Sequence, residues 1–356
     1  MMMSEELLKR FCSNRNIKCS TLKSYRSAIA KYEFFHDMDM GSLMDEAIVE
    51  EDEGISLKSR KIKSRLLDFR SFLLDSGLAI STVRTYFSRI KTFYRHFEIE
   101  LPYLNDIKFD GEYLSSYYDL PARGDIRKVC SISSNAFRAL VLFISSSGCA
   151  KAETLSLTVG DFVKASDDYH DGGSIDDVLN CLIGRRDIVP AFYLKRIKTN
   201  KFYYAFCSPE ASHHIVKYLI SRKGLSLDDR LFDFTDSSLI YSFKKVNDKL
   251  DMGFVGHYRF FRSHALRKFH ASNIDLSADI VDELQGRGKT RVREAYMKTN
   301  PRRLKEIYMG AMHNVMVFDD WIEECEKEDD CVIIENQVIN VIINFTLDGM
   351  EYKVEK

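Results

Sequence analysis

Three short patterns in the second half of the chain carry residue types suited to phosphate chemistry. The first is Lys198, in the turn-forming run Lys198-Thr199-Asn200-Lys201. The second is Ser263-His264-Ala265-Leu266-Arg267, a His-x-x-Arg at the start of a predicted helix. The third is Gly286-Arg287, followed nine residues later by Tyr296. A phenol that cuts a phosphodiester has to lose its proton on attack, from a solution pKa of about 10. Negative charge then grows on the non-bridging oxygens and needs cations or hydrogen-bond donors around it. The departing 5′ oxygen needs an acid. Taken singly, each pattern is weak. A tyrosine on a helix is usually packing, a histidine is more often a satisfied structural residue, and Lys195, Arg196 and Lys201 read as solvated. The shared order makes the signal.

The elements that must position these residues read as one mixed domain. Ser134–Ser145 and Glu153–Leu157 are predicted helices, interrupted by the Ser-Ser-Ser-Gly turn at 145–148. Val178–Ile183, Ala191–Ile197 and Phe202–Cys207 read as short strands, the last two joined by the turn that bears Lys198. Ser208-Pro209-Glu210 reads as N-cap, N1 and N2 of a new helix, and helices follow to about Met312. Ahead of this domain lies a small helical one. Leu22, Tyr25, Ile29 and Tyr32 recur at helical spacing, as do Ile62, Leu66, Phe69 and Leu73. After Gly77, with Ser81 as a candidate cap, Val83, Phe87, Ile90, Tyr94 and Phe97 form a third apolar stripe, which is core. Glu46–Glu53 reads as a loop or a solvated helix end. The expected layout is a helical domain over 1–105, a linker over 106–123, a mixed domain over 124–312 and an acidic, β-rich extension over 313–356.

The chain has 356 residues, 45% hydrophobic and 29% charged, as a globular protein has. No apolar run reaches the roughly 18 residues of a membrane span, and the first residues lack the apolar core of a secretory signal. The eight cysteines are scattered, with no Cys-x-x-Cys pair, which argues against a disulfide framework and a structural zinc. The reading is an intracellular protein. Its net charge of −1 conceals an asymmetry. Residues 311–356 hold 12 acidic residues and 3 lysines, whereas Ile55–Arg95 holds ten basic residues and two acidic ones. A concentrated basic surface matters more to a polyanion than the sum over the chain.

With these patterns in place, residues 1–310 resemble the tyrosine recombinase (phage integrase) family. That family carries a β-hairpin lysine, His-x-x-Arg, a Gly-His or Gly-Trp pair, and a tyrosine nine positions after that His or Trp. The third N-terminal helix, Ser-Thr-Val-Arg-Thr-Tyr-Phe-Ser-Arg-Ile-Lys, is similar to its core-binding (SAM-like) domain. The resemblance implies a mainly α fold with a small β-sheet, a helical core-binding domain followed by a catalytic one. It implies that Tyr296 forms a 3′-phosphotyrosyl bond, that Arg267 forks onto the scissile phosphate, and that His264 bonds the phosphate or assists proton transfer. Lys198 would protonate the leaving hydroxyl, with no metal or other cofactor. The implied partners are double-stranded DNA at a specific site and further copies of the chain, as dimer or tetramer on DNA, without a membrane. The implied location is cytoplasmic, at the nucleoid. A segment beyond the nucleophile often packs on a neighbouring protomer in this family, a role open to Asp319–Asp330.

Two positions depart from the family pattern. Its first arginine opens the catalytic domain in a Gly-Leu-Arg-x-x-Glu-Leu stretch, matched here by Gly148-Cys149-Ala150-Lys151-Ala152-Glu153-Thr154-Leu155. Ala150 occupies the commonest register, and a register one position later makes Lys151 the substitute. Lysine keeps the charge and loses the fork, a loss of about 2–4 kcal/mol on the scale of one oxyanion donor. Arg287 stands where His or Trp is usual and can still donate to a phosphate oxygen. The spacing from Arg267 to Tyr296 is also slightly short, implying a trimmed loop around Ser272–Ala278. The functional classes that follow are an active recombinase, a DNA-binding protein that has lost the chemistry, and a relaxing topoisomerase of type IB character. Arg185 and Arg186 are lesser candidates for phosphate contact.

Overall fold

Apolar residues recurring every three or four positions make most of this chain helical, and the coordinates bear that pattern out. The computed structural model describes residues 2–107, 116–287, 300–318, 345–346 and 349–350. It divides into two units, Met1–Leu114 and Ser115–Lys356.

Among the described residues the first unit has five helices: α1 (Met2–Arg15), α2 (Cys19–His36), α3 (Met40–Asp52), α4 (Lys61–Asp75) and α5 (Ile80–His96). The expected stripes of α4 and α5 are buried, including Leu66, Phe69, Val83 and Ile90 at 0% exposure. Tyr32 of α2 packs edge-on against Phe69, ring centres 4.8 Å apart, and receives the Tyr94 hydroxyl at 3.3 Å. Two expectations need correction here. The cap of α5 is Ala79, without a side-chain bond, so Ser81 lies inside the helix. The acidic run is the end of a helix, one of its two readings above, and what changes is its solvation: it closes α3, and Glu46, Glu50 and Glu51 turn onto the basic residues that follow. Glu50 is buried and accepts the Lys61 N–H at 2.9 Å, closing the start of α4. Glu51 holds Arg60 at 2.6 Å, and Glu46 holds both Arg65 and Lys61.

In the second unit α6 (Arg123–Ser131) leads into α7 (Asn135–Ser147), an apolar helix packed against two later ones, α11 (Pro209–Ile220) and α13 (Ser263–Asn273). Ten of the thirteen residues of α7 are buried. Each fully buried Leu or Phe there contributes about 1.5–3 kcal/mol. Two short helices follow, α8 (Lys151–Ser156) and α9 (Val159–Ala165), then α10 (Ile175–Ile183). The expected strand at Val178–Ile183 is therefore helix. Ser174 accepts the Asp177 N–H at 3.2 Å while the Asp177 carboxylate takes the Ser174 N–H at 3.0 Å, a reciprocal cap that starts α10. Val178, Leu179 and Leu182 then face the core.

Strands β1 (Ala191–Lys195) and β2 (Phe202–Phe206) pair antiparallel, with Leu194 opposite Tyr203. Alternation puts Phe192 and Leu194 inside and Tyr193 and Lys195 outside. Ser208 caps α11 and Pro209 is its first residue, as expected. The remaining elements are α12 (Asp236–Lys249), a two-residue hairpin of β3 (Phe254–Val255) and β4 (Tyr258–Arg259), α13, α14 (Ala278–Leu284) and α15 (Pro301–Ala311). Of the extension expected over 313–356, residues 313–318 continue from α15 through a short 3-10 turn with Val315 and Val317 buried, Phe345–Thr346 pairs with Gly349–Met350, and the rest lies outside the described residues. The architecture is mainly α with small antiparallel hairpins. No helix among the described residues is long and apolar enough to cross a membrane.

Candidate active site

Arg267 is the centre of the best-defined polar network in the second unit. It lies on α13, three residues after His264, and is only 6% exposed. Its guanidinium donates to the Gly148 carbonyl at 2.6 Å and to the Gln285 carbonyl at 2.9 Å. Those carbonyls close the ends of α7 and α14, so one side chain joins three helices. The buried Gln285 amide returns a bond to the Arg267 carbonyl at 3.1 Å and meets His270 Nδ1 at 3.0 Å. Burial lowers the Arg267 pKa from its ordinary value, and the like charges of Arg196 and Arg287 act in the same direction. Burial likewise takes His270 down to about 3, so its ring is neutral at physiological pH.

Two glycines make this geometry possible. Gly148 caps α7 in the left-handed region at φ +63°, and a Cβ there would lie 2.6 Å from the Gln285 amide nitrogen. Gly286 has φ +60°, and its Cβ would lie 2.5 Å from the Tyr203 ring. Any larger residue at either position has both a strained backbone and an occupied space. The Gly in each of the two sequence patterns thus has a physical reason.

Arg196 was expected to be solvated, and the structure corrects this. From just beyond β1 its guanidinium folds back to donate to the Gln285 carbonyl at 3.1 Å and the Gly286 carbonyl at 2.6 Å. Its backbone closes the hairpin turn, with the Arg196 N–H donating to Lys201 at 2.7 Å and Asn200 taking φ +58°. Lys198 is exposed on that turn. The turn is tied to α8 by Glu153, a 3% exposed carboxylate that accepts the Ile197 N–H at 3.2 Å.

The other expected residues divide. His264 opens α13 with an exposed edge; desolvation of the rest of its ring, then Lys268, Arg262, Arg267 and Arg287, lower its pKa. Arg287 is half exposed, 3.4 Å from Asp282, and its charge is felt at His264, Arg267 and His270. Lys151 pairs with Asp236, the first residue of α12, at 2.5 Å. Tyr296 lies outside the described residues. Arg185 pairs with Asp187 at 2.8 Å, and Arg186 donates to the Ile183 carbonyl at 2.8 Å, so both have local structural partners. Sequence reasoning missed Gln285 and His270, which carry no motif; only their flanking of Gly286 and Arg267 could have drawn attention to them.

Among the described residues, neither Arg267 nor Arg196 has a carboxylate at ion-pair distance. Their partners are backbone carbonyls, which accept hydrogen bonds without cancelling the charge. A buried cation of that kind is costly by itself and is stabilised by an incoming anion. Guanidinium forks suit phosphate oxygens. No group of His, Cys, Asp and Glu among the described residues is arranged to hold a metal ion.

No family model and no curated protein matches this chain. Solved structures do. A XerH site-specific recombinase bound to difH substrate is 16% identical, with a TM-score of 0.49, over 84% of this chain and 82% of that one. A lambda integrase dimer bound to a COC′ core site is 14% identical, with a TM-score of 0.49, over 84% and 95%. The Tn1549 transposon integrase in complex with transposon right-end DNA is 12% identical, with a TM-score of 0.48, over 86% and 99%. With identities this low and TM-scores under 0.5, the functional reading rests on the residues of this chain.

Proposed function

We propose that this chain is a site-specific tyrosine recombinase that cleaves and rejoins DNA through a 3′-phosphotyrosyl bond to Tyr296. The observation that carries the reading is Arg267: a buried guanidinium whose partners among the described residues are all neutral, on the same helix as His264 and within the influence of the Arg287 charge. In the reaction the Tyr296 oxygen bonds to phosphorus as the bond from phosphorus to the 5′ oxygen breaks. Arg267 and Arg287 balance the charge that grows on the non-bridging oxygens. His264, whose pKa its surroundings lower, is able to accept the phenolic proton or to donate a hydrogen bond to the phosphate. Lys198, on its exposed turn, supplies the proton to the 5′ oxygen. Attack by a 5′ hydroxyl from another strand reverses these steps and needs no outside energy source. The partners in this reading are double-stranded DNA and further copies of the chain assembled on it, in the cytoplasm at the nucleoid.

A nicked duplex that loses its short 5′ fragment on cleavage traps the covalent adduct as a slowly migrating band. Wild type gives the band and Tyr296→Phe does not. The pairing of Lys151 with Asp236 favours a second reading, a DNA-binding protein that has lost the chemistry. Tight and specific binding by wild type with no adduct would establish it.

A further inference from the structure

The family's first arginine is replaced here by Ala150 or Lys151, and Lys151 is engaged by Asp236. A second guanidinium is nonetheless present beside Arg267. Arg196 and Arg267 donate to the same Gln285 carbonyl, at 3.1 and 2.9 Å. Their bonded nitrogens are therefore no more than about 6 Å apart, the reach of two forks on one tetrahedral anion. At that distance two like charges repel, and an anion between them removes the repulsion. Arg196 Nε is also buried with no partner among the described residues. A side chain present only to clip the hairpin to α14 has no need of a charged group that is left incompletely satisfied.

We propose that Arg196 is the second arginine of the phosphate clamp, supplied from the β1–β2 hairpin in place of the position that Ala150 leaves empty on α8. This rests on the recombinase reading and adds to it. Arg196 then neutralises a non-bridging oxygen of the scissile phosphate from the side opposite Arg267. Because it belongs to the same turn as Lys198, docking of that turn brings acid and cation to the phosphate together.

The test uses full-length wild type, Arg196→Gln and Arg196→Lys on a nicked duplex. Its sequence is selected from a random pool by binding to wild type, and it carries either a natural phosphate or an uncharged methylphosphonate at the cleaved position. Glutamine keeps a polar, hydrogen-bonding side chain and removes the charge. The clamp role predicts that Arg196→Gln forms adduct about 10²–10³-fold more slowly than wild type on phosphate. On methylphosphonate, with one charge fewer to balance, the deficit shrinks to within about tenfold of wild type on the scale of a weak donor loss. Arg196→Lys falls between the two. An equal deficit on both substrates makes Arg196 a structural clip and overturns the inference, as does no deficit at all. If Arg196→Gln fails to fold, the same ratio for Arg196→Lys decides. A wild type that binds the duplex and forms no adduct on either substrate overturns the recombinase reading instead, and the clamp with it.

Discussion

The two units use arginine in opposite ways. In the N-terminal unit the basic run that opens α4 is met by carboxylates: Arg60 by Glu51, Arg65 and Lys61 by Glu46. In the C-terminal unit Arg267 and Arg196 are met by carbonyls of Gly148, Gln285 and Gly286. Both arrangements give the guanidinium groups hydrogen-bond partners, but among the described residues only the second leaves the positive charge without a carboxylate. A count of basic residues does not distinguish them. The local excess in Ile55–Arg95 overstates what the first unit offers to a polyanion, whereas Arg267 and Arg196, held by carbonyls, are worth more than their number. Within the first unit, Arg84 and Arg70 also have backbone partners, the carbonyls of Ile107 (2.9 Å) and Asn105 (3.2 Å), but on exposed surface where water screens them.

Arg267→Ala gives the sharpest break in this comparison. It removes the charge and leaves the buried carbonyls of Gly148 and Gln285 unpaired, so adduct formation on a nicked duplex falls by at least about 10²–10³-fold and the second unit loses about 2–4 kcal/mol in denaturant melts. A variant with full cleavage would sink the functional assignment of α13. Next is Gly148→Ala, whose Cβ meets the Gln285 amide and whose backbone sits at φ +63°. The expected cost is about 2–3 kcal/mol, read as a lower urea midpoint; an unchanged midpoint would mean that the network relaxes freely.

A pH profile separates the units as well. His270 has its folded pKa depressed to about 3. Below the unfolded value of about 6.5 the unfolded chain binds a proton that the folded one refuses, so stability declines as pH falls by roughly 1.4 kcal/mol per unit towards pH 3. His270→Gln flattens that part of the profile; an unchanged slope would assign it to other groups. Sulfate, an anion with phosphate-like shape, raises the melting temperature of wild type more than that of Arg267→Gln, which places its site on the carbonyl-held arginine. The smallest expected effect lies in the first unit. A double-mutant cycle on Arg60 and Glu51 gives a coupling of about 1 kcal/mol that salt reduces.

Much of this was readable from residue order. The apolar stripes of α4 and α5, the cap at Ser208, the hairpin with Lys198 at its turn and the helix bearing His264 and Arg267 all follow from local pattern. Where the reading failed, the missing information was mostly long-range. Arg196 lies just beyond β1, and the partners its long side chain reaches are 89 and 90 positions away, which no local pattern reveals. Asp236 lies far from Lys151 in sequence, and no spacing rule links them. The strand expected at Val178–Ile183 failed for a local reason: a short apolar run fits either element, and the Ser174–Asp177 cap was the decisive signal. The acidic end of α3 reads as solvated because nothing local shows that Glu46, Glu50 and Glu51 meet the start of the following helix.

The cap of α11 has one more consequence. Glu210 is fully buried, and its two carboxylate oxygens receive the N–H groups of Val317 at 2.8 Å and Phe318 at 3.1 Å. The last described turn before the acidic extension is thus sewn into the interior, with Arg127 gripping the Val317 carbonyl at 2.7 Å. A truncation that retains Phe318 keeps that seam closed and isolates whatever the extension does. One that stops at Met312 strands a carboxylate in the interior, and any loss of activity it causes reports on a damaged core rather than on the missing tail.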